Sequence, residues 1–432
     1  MEFKKTDYRL MTVKTGRTFD DAGWTLADSE CDSPSLVRAV YSNKKFTPRE
    51  DLDGFYRYAE WLPISRTLNH SHAPVTYKSE GLANYLGLEN LYITFSGYFP
   101  EKGALMETCS FKETEAYSVC GRLAADNKKV LVVASAGNTA RAFAKVCSDN
   151  KIPLLLCIPA DNIKALWFTS ELDPCVKIIA SPKGSDYFDA IHLSDICCES
   201  DIFMAEGGAK NVARRDGMGT TILSAVEKIG RIPDAYFQAI GSGTGTVAVW
   251  ENNLRLIEDG RFGTHKMRLY PSQNEPFLIM YDSWKAGQRN LVDLSPEDAR
   301  KQAGIIDAKV LSNRKPPYSL AGGVYDALCD AGGDIYKVNN KELEEWKQKF
   351  LELEGIDIYS AASVAVCSLV KAVAEGAVAK DEIIMLNITG GGEARLMSEH
   401  SVIYAKPHLI LDPDSPKEEI ISKVEKLFST NE

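Results

Sequence analysis

The sequence predicts an α/β fold made of two parallel-sheet domains with a ligand cleft between them. Three observations predict it. From residue 112 to residue 388, short and almost continuously apolar runs alternate with amphipathic stretches of helical period. That is the pattern of parallel strands covered by helices on both faces. A glycine-rich turn, Gly241-Ser242-Gly243-Thr244-Gly245-Thr246, lies between one such strand and a helix. Glycines there let backbone amides at a helix N-terminus approach an anion. The length, 432 residues with 44% hydrophobic and 25% charged, is enough for two cores. The expected divisions are an N-terminal arm over 1–79, a smaller α/β domain over 80–215, and a larger α/β domain over 216–432 that ends in a helix.

In chain order, residues 1–75 are mixed and tyrosine-rich, with Asp/Gly turns at 20–23 and 51–54. The aromatic stretch 54–63 reads as an arm lying on the main body. A short helix at 82–86 is closed by Gly87, and 91–95 reads as a strand. The alternation then runs helix 112–126, strand 130–134, the turn Ser135-Ala136-Gly137-Asn138-Thr139, and a helix through Arg141 to 149. Strand 153–158, a helix at 164–172, strand 176–179 and a helix opening at 184 follow. The second half continues the pattern with helix 219–229, strand 235–240, the glycine turn and a helix to about 258. Strands at 267–270, 335–338 and 383–388 and helices at 342–353 and 360–375 complete it, with an amphipathic tail helix at 416–428. The chain has no short-period repeat and no low-complexity region.

A net charge of −10 argues against nucleic acid and acidic membranes as partners. A small anionic substrate then needs a local cluster of cations and helix N-termini. No apolar run reaches the ~18 residues of a membrane span, and the first residues lack the apolar core of a signal peptide. The ten cysteines are scattered, with no CxxC pair, so no metal site is expected. Most read as buried thiols of a reducing cytoplasm, the adjacent pair Cys197 and Cys198 included.

Four stretches carry chemistry. Lys112, in Ser110-Phe111-Lys112, sits where a glycine-bearing loop meets a helix. Partial burial there lowers an amine's pKa, as a Schiff-base lysine requires; a solvated surface lysine is the alternative. Asn138 lies at a strand end, where ligands gather in parallel sheets. It can donate to a phenolate oxygen, while the amides around Ser135 and Thr139 can hold a carboxylate. An ordinary Asn/Ser turn with a helix cap is the other reading. The turn 241–246 can hold a phosphate through Gly241, Ser242, Gly243, Thr244, Gly245 and Thr246. Its GxGxG spacing, without an acidic residue on a following strand, disfavours a dinucleotide site. Thr389 ends the last strong strand before three glycines, where a neutral hydroxyl can face a pyridine nitrogen; a tight strand-end turn is its alternative. Each supplies something that pyridoxal 5'-phosphate (PLP) needs. A neutral partner leaves the ring nitrogen largely unprotonated, which favours elimination and replacement over transamination.

In this order the four stretches resemble the tryptophan-synthase-β-like PLP enzymes, fold type II, over roughly residues 60–400. Within that group the chain is most similar to the threonine-synthase branch. The runs 58–63 (Tyr-Ala-Glu-Trp-Leu-Pro), 211–217 (Asn-Val-Ala-Arg-Arg-Asp-Gly), and Glu354-Gly355-Ile356 through Ser360-Ala361-Ala362 carry the likeness. Three features depart from it. Glu113-Thr114 follows the lysine in place of Asp-Arg, Gly390 to Arg395 replaces a Gly-His/Asn-Gly-Leu-Lys-Asp run, and zinc-ribbon cysteines are absent. The whole chain, including its opening Tyr8-Arg9-Leu10, resembles the cysteate synthase family of that branch. The resemblance implies PLP in the interdomain cleft, held by Lys112, and a transferase that makes L-cysteate from O-phospho-L-serine and sulfite, on a route to coenzyme M in methanogens. It also implies a homo-oligomer. Lys112 would act as general base and return the proton. Arg141, one turn beyond Asn138, and Arg395, after the glycines, are the candidate substrate cations; Lys210, Arg214 and Arg215 cluster elsewhere. Threonine synthase acting on O-phosphohomoserine is the alternative within the class. A catalytically silent PLP-binding protein and a nicotinamide-dependent oxidoreductase are the alternatives outside it.

Overall fold

Two parallel sheets carry the architecture of the computed structural model, which describes residues 3–135 and 137–429. Ala136 of the expected ligand turn, the first two residues of the chain and the last three lie outside the described residues. One sheet has five strands in the order Phe203–Ala205, Val130–Ala134, Leu154–Pro159, Val176–Ser181 and Leu409–Ile410, all parallel. The other has six, in the order Tyr336–Val338, Arg268–Asn274, Ala235–Ala239, Ile383–Ile388, Asn90–Phe95 and Val75–Lys78. Its pairs are parallel except the edge strand Val75–Lys78.

Successive strand residues point to opposite faces, so a strand covered on both sides is apolar throughout. Leu131 and Val133 pack with Leu154 and Leu156 on one face, against helices Lys112–Arg122 and Asn138–Asp149. Val130, Val132, Leu155 and Cys157 pack on the other, against helices Tyr187–Cys197 and Lys417–Glu425. The larger sheet repeats the arrangement. Tyr236, Leu269 and Met385 face helices Val212–Ile229 and Thr244–Asp259. Phe237, Tyr270 and Leu386 face helix Ser360–Ala374. Each fully buried Leu or Phe contributes about 1.5–3 kcal/mol relative to leaving it exposed.

Sheet membership departs from the expected sequence boundaries at the edge strand Val75–Lys78, which falls within the expected arm but joins the larger sheet, and at two places with more distant partners. Strand Asn90–Phe95, expected with residues 80–215, lies in the larger sheet, paired from Ile383↔Asn90 to Ile388↔Phe95. Leu409–Ile410 and helix Lys417–Glu425, expected with residues 216–432, complete the smaller one. These pairings span hundreds of residues and leave no mark in a local apolar pattern. The expected helix at 164–172 is also absent. A 3-10 turn, Ala160–Ala165, precedes the two-residue strand Trp167–Phe168, which pairs antiparallel with Ile403–Tyr404. The run Trp-Phe-Thr suits a pleated, half-buried surface better than a helix. Among the described residues no helix is long and apolar enough to cross a membrane.

The N-terminal segment forms an antiparallel sheet, Thr18–Phe19, Tyr8–Thr12 and Val37–Tyr41. The aromatic stretch is a 3-10 helix, Gly54–Trp61, that buries Phe55, Tyr56, Tyr58 and Trp61. Tyr56 donates its hydroxyl to the Tyr117 carbonyl at 3.0 Å and so ties this segment to the Lys112 helix.

Candidate active site

Helix Lys112–Arg122 is set by a close crossing. A Cβ on Gly217 would lie 2.4 Å from the Thr114 carbonyl oxygen, so only glycine lets helix Val212–Ile229 approach this far. The loop leading to Lys112 is hydrogen-bonded into the Gly390 turn. Phe111 N–H donates to the Thr389 carbonyl (3.0 Å), Gly391 N–H to Cys109 (3.1 Å) and Tyr359 N–H to Gly390 (3.2 Å). Three backbone segments thus meet with no room for side chains. A Cβ on Gly390 would come within 2.6 Å of the Tyr359 ring, and one on Gly391 within 2.3 Å of the Asp357 carbonyl oxygen. Cys109 holds φ 52° in this loop, a strained conformation for a residue with a side chain. Glu113, a departure from the threonine-synthase pattern, also serves this loop. Its carboxylate is buried and accepts from Thr108 N–H at 2.6 Å, and burial pushes its pKa up to about 7.

A cavity of about 280 Å3 opens at the C-terminal ends of strands from both sheets. It is lined by Lys112, Ser135, Asn138 and Thr139, by the turn Gly241 to Gly245, and by Thr389. Residues expected from four separated stretches therefore share one chamber. The Lys112 side chain is 20% exposed, and its Nζ donates to Glu115 Oε2 at 3.1 Å. Burial lowers its pKa most; Glu115 pulls it up and Arg214 pushes it down. Across the cavity, Gly243 caps helix Thr244–Asp259 with φ 76°. A Cβ there would meet Val324 Cγ2 at 2.4 Å, and one on Gly245 would meet Gln238 Nε2 at 2.6 Å. The turn is confined to glycine from behind while its backbone lines the chamber. Thr246 does not line it. It is fully buried in the first turn of the helix, with a hydroxyl that has no hydrogen-bond partner.

Both expected substrate arginines lie outside the chamber. Arg141 is 2% exposed. It donates to the Thr108 carbonyl (3.0 Å), the Ala165 carbonyl (2.8 Å), Asn138 Oδ1 (3.0 Å) and the Tyr359 hydroxyl (2.9 Å), and its guanidinium stacks 4.2 Å from the Trp167 ring. Its donors are engaged by the walls, Asn138 among them, and it is not among the residues that line the chamber. Arg395 is 40% exposed and paired with Glu101 (2.7 Å) and Glu399; helix Glu393–Glu399 carries it outward. Besides Lys112, the cations that do line the chamber are Arg214, Lys309 and Lys315. Arg214 is engaged by Glu206 (2.8 Å) and Glu115 (3.3 Å), and Lys309 Nζ donates to the Ala303 and Gly304 carbonyls. Lys315 has no carboxylate within ion-pair distance among the described residues. Tyr359, Gln238 and Tyr187 also line the chamber. Of these, only Tyr359 had a signal, lying inside the 354–362 run just before a helix.

Pyridoxal phosphate fits this set. Lys112 offers an amine, Asn138 an oriented amide, and Thr389 a neutral hydroxyl. The glycine turn offers a helix N-terminus, whose first amides have no intrahelical partner, with the unpartnered Thr246 hydroxyl beneath it.

Residues 101–390 match the family described as pyridoxal-phosphate dependent enzyme. The cysteate synthase of Methanosarcina acetivorans is 44% identical over 413 residues, covering 95% of this chain and 98% of that one. That of Methanosarcina mazei is 45% identical over 403 residues, covering 93% and 96%. Among solved structures, maize serine racemase superposes with a TM-score of 0.57 at 16% identity, covering 76% of this chain and 91% of that one. At that identity the likeness speaks for the fold.

Proposed function

Because the chain belongs to the pyridoxal-phosphate dependent enzymes, and among them to the cysteate synthase family, we propose that it replaces the phosphate of O-phospho-L-serine with sulfite to give L-cysteate. The observation that carries this reading is the convergence of Lys112, Asn138, Thr389 and the glycine turn on one cavity.

The cofactor is PLP, and bound there it draws electrons from the amino acid's Cα. This chain's residues do the rest. Lys112 holds the cofactor, takes the Cα proton once its amine is freed, and returns it at the end; its lowered pKa suits a base. The turn 241–245 would hold the cofactor phosphate, Asn138 would donate to the phenolate oxygen, and Thr389 would stand at the ring nitrogen. Ser135 and Thr139 flank the substrate carboxylate. The Cβ–O bond to phosphate breaks and a Cβ–S bond to sulfite forms. Both the departing and the entering groups are oxyanions, and Lys315 is the cation in the chamber free to meet each in turn. The free thiols of Cys120 and Cys147, 3.6 Å apart, suit a reducing cytoplasm.

Incubation with phosphoserine and with phosphohomoserine, each with and without sulfite, tests the proposal. Phosphoserine with sulfite should yield cysteate and phosphate in equal amounts. Lys315→Met should raise the phosphoserine KM about tenfold or more, the loss of one charged hydrogen bond, and leave PLP content unchanged. Threonine from phosphohomoserine with no cysteate from phosphoserine would put threonine synthase in its place.

A further inference from the structure

Glu115 is a carboxylate to which the proposed reaction gives no part, and its surroundings are unusual. It is fully buried, one helical turn beyond Lys112. A buried carboxylate stays charged only when paired. Two cations pair it, Lys112 Nζ at 3.1 Å on one oxygen and Arg214 Nη1 at 3.3 Å on the other. Arg214 is held in turn by Glu206. The close crossing at Gly217 locks the helices that carry Lys112 and Arg214 against each other. Glu115 does not line the cavity, so it can act only through its neighbours.

We propose that Glu115 is the positioning residue of the Lys112 amine, holding it in opposition to Arg214 whenever it is not joined to the cofactor. This inference rests on the reading of Lys112 as the cofactor lysine. The four charges, Lys112 and Arg214 against Glu115 and Glu206, cancel while the amine is protonated. When the Lys112 amine leaves Glu115 to hold the cofactor, Glu115 keeps only Arg214. The freed amine therefore returns to a prepared seat. It is held at the chamber wall by Glu115 and does not swing into solvent. The seat also sets the amine's basicity from two sides: Glu115 raises it and Arg214 lowers it. Within the cluster Glu206 also favours the ammonium, and the Tyr187 hydroxyl from helix Tyr187–Cys197 faces it. Lys309 and Lys315 stand farther round the same chamber.

The test is the pH dependence of recombination of PLP with the apoenzyme, followed by the visible band and by borohydride trapping at Lys112. Only the neutral amine reacts, so the half-maximal pH reports the seat directly. Glu115→Gln should move that pH down by about one unit or more, and Arg214→Gln should move it up, the usual size for a charge at this distance. Glu115→Asp should recover part of the shift. In turnover, Glu115→Gln should lower kcat about tenfold or more while the phosphoserine KM stays within about threefold, the pattern of lost alignment rather than lost binding. The same half-maximal pH in wild type and Glu115→Gln, or shifts of the same sign in both variants, would overturn the inference. If Glu115→Gln fails to fold, the upward shift in Arg214→Gln decides alone. If wild type forms no trappable adduct at Lys112, it is the lysine reading that falls.

Discussion

Glu113 shows how a single side chain can serve a site it never touches. Its carboxylate holds the loop before Lys112 through Thr108 N–H and carries no charge through much of the acid range, because burial lifts its pKa from 4.5 to about 7. The folded protein thus binds this proton more readily than the unfolded chain. The contribution is full below pH 4.5 and is lost as pH rises through about 7, amounting to a few kcal/mol at most. Glu113→Gln keeps the acceptor and removes the titration. Between pH 5 and pH 8, urea denaturation should show the variant's stability falling less steeply than that of wild type, a difference of about 1–3 kcal/mol. At this scale the sequence was partly legible. Lys112, Asn138 and Thr389 could be picked out because strand ends and glycines announce them. Arg141 and Arg395 could not be placed, since whether a guanidinium faces a ligand or its own wall depends on acceptors such as Thr108, Ala165 and Glu101 brought in from elsewhere in the chain.

Elements meet at glycines in this molecule, and each meeting has a cause visible in the geometry. At Gly243 two constraints coincide, a φ of 76° and a side chain, Val324, standing where a Cβ would go. Gly243→Val should displace the start of helix Thr244–Asp259 and take at least one amide away from the cofactor phosphate. A charged hydrogen bond contributes about 1.5–3 kcal/mol, so PLP affinity measured by fluorescence titration should fall by at least about tenfold. Wild-type affinity would show that the turn does not hold the phosphate. The strand–turn–helix pattern made this element readable from the sequence. The helix expected at 164–172 failed because 167–168 gains its partner from 403–404, which no local period reveals. The Gly390 run, read as a departure, is explained by the closeness of Cys109 and Tyr359.

The two sheets set the scale of the whole molecule, and burial decides what a position in either tolerates. Leu386 is fully buried in one of the two central strands of the larger sheet. Leu386→Ala should destabilise by about 2–5 kcal/mol in chemical denaturation. Ile410, in the terminal strand of the smaller sheet, is 62% exposed, and Ile410→Ala should stay within about 0.5 kcal/mol. The alternating apolar runs made both sheets legible. Their strand orders were not, because Asn90–Phe95 and Leu409–Ile410 each join the sheet that their place in the chain does not suggest.

That crossing of strands bears on how the chain is made. The larger sheet holds Ile383–Ile388 between Ala235–Ala239 and Asn90–Phe95, and Leu409–Ile410 joins the smaller sheet only after that. On a ribosome, which releases the chain N-terminus first, the strand at 90–95 waits through the synthesis of almost three hundred residues for its parallel neighbour. The larger-sheet wall of the cofactor chamber cannot close until that neighbour emerges. Capture of the cofactor therefore belongs to the released chain, and a nascent chain stalled at residue 380 should carry the glycine turn and Lys112 yet retain no cofactor.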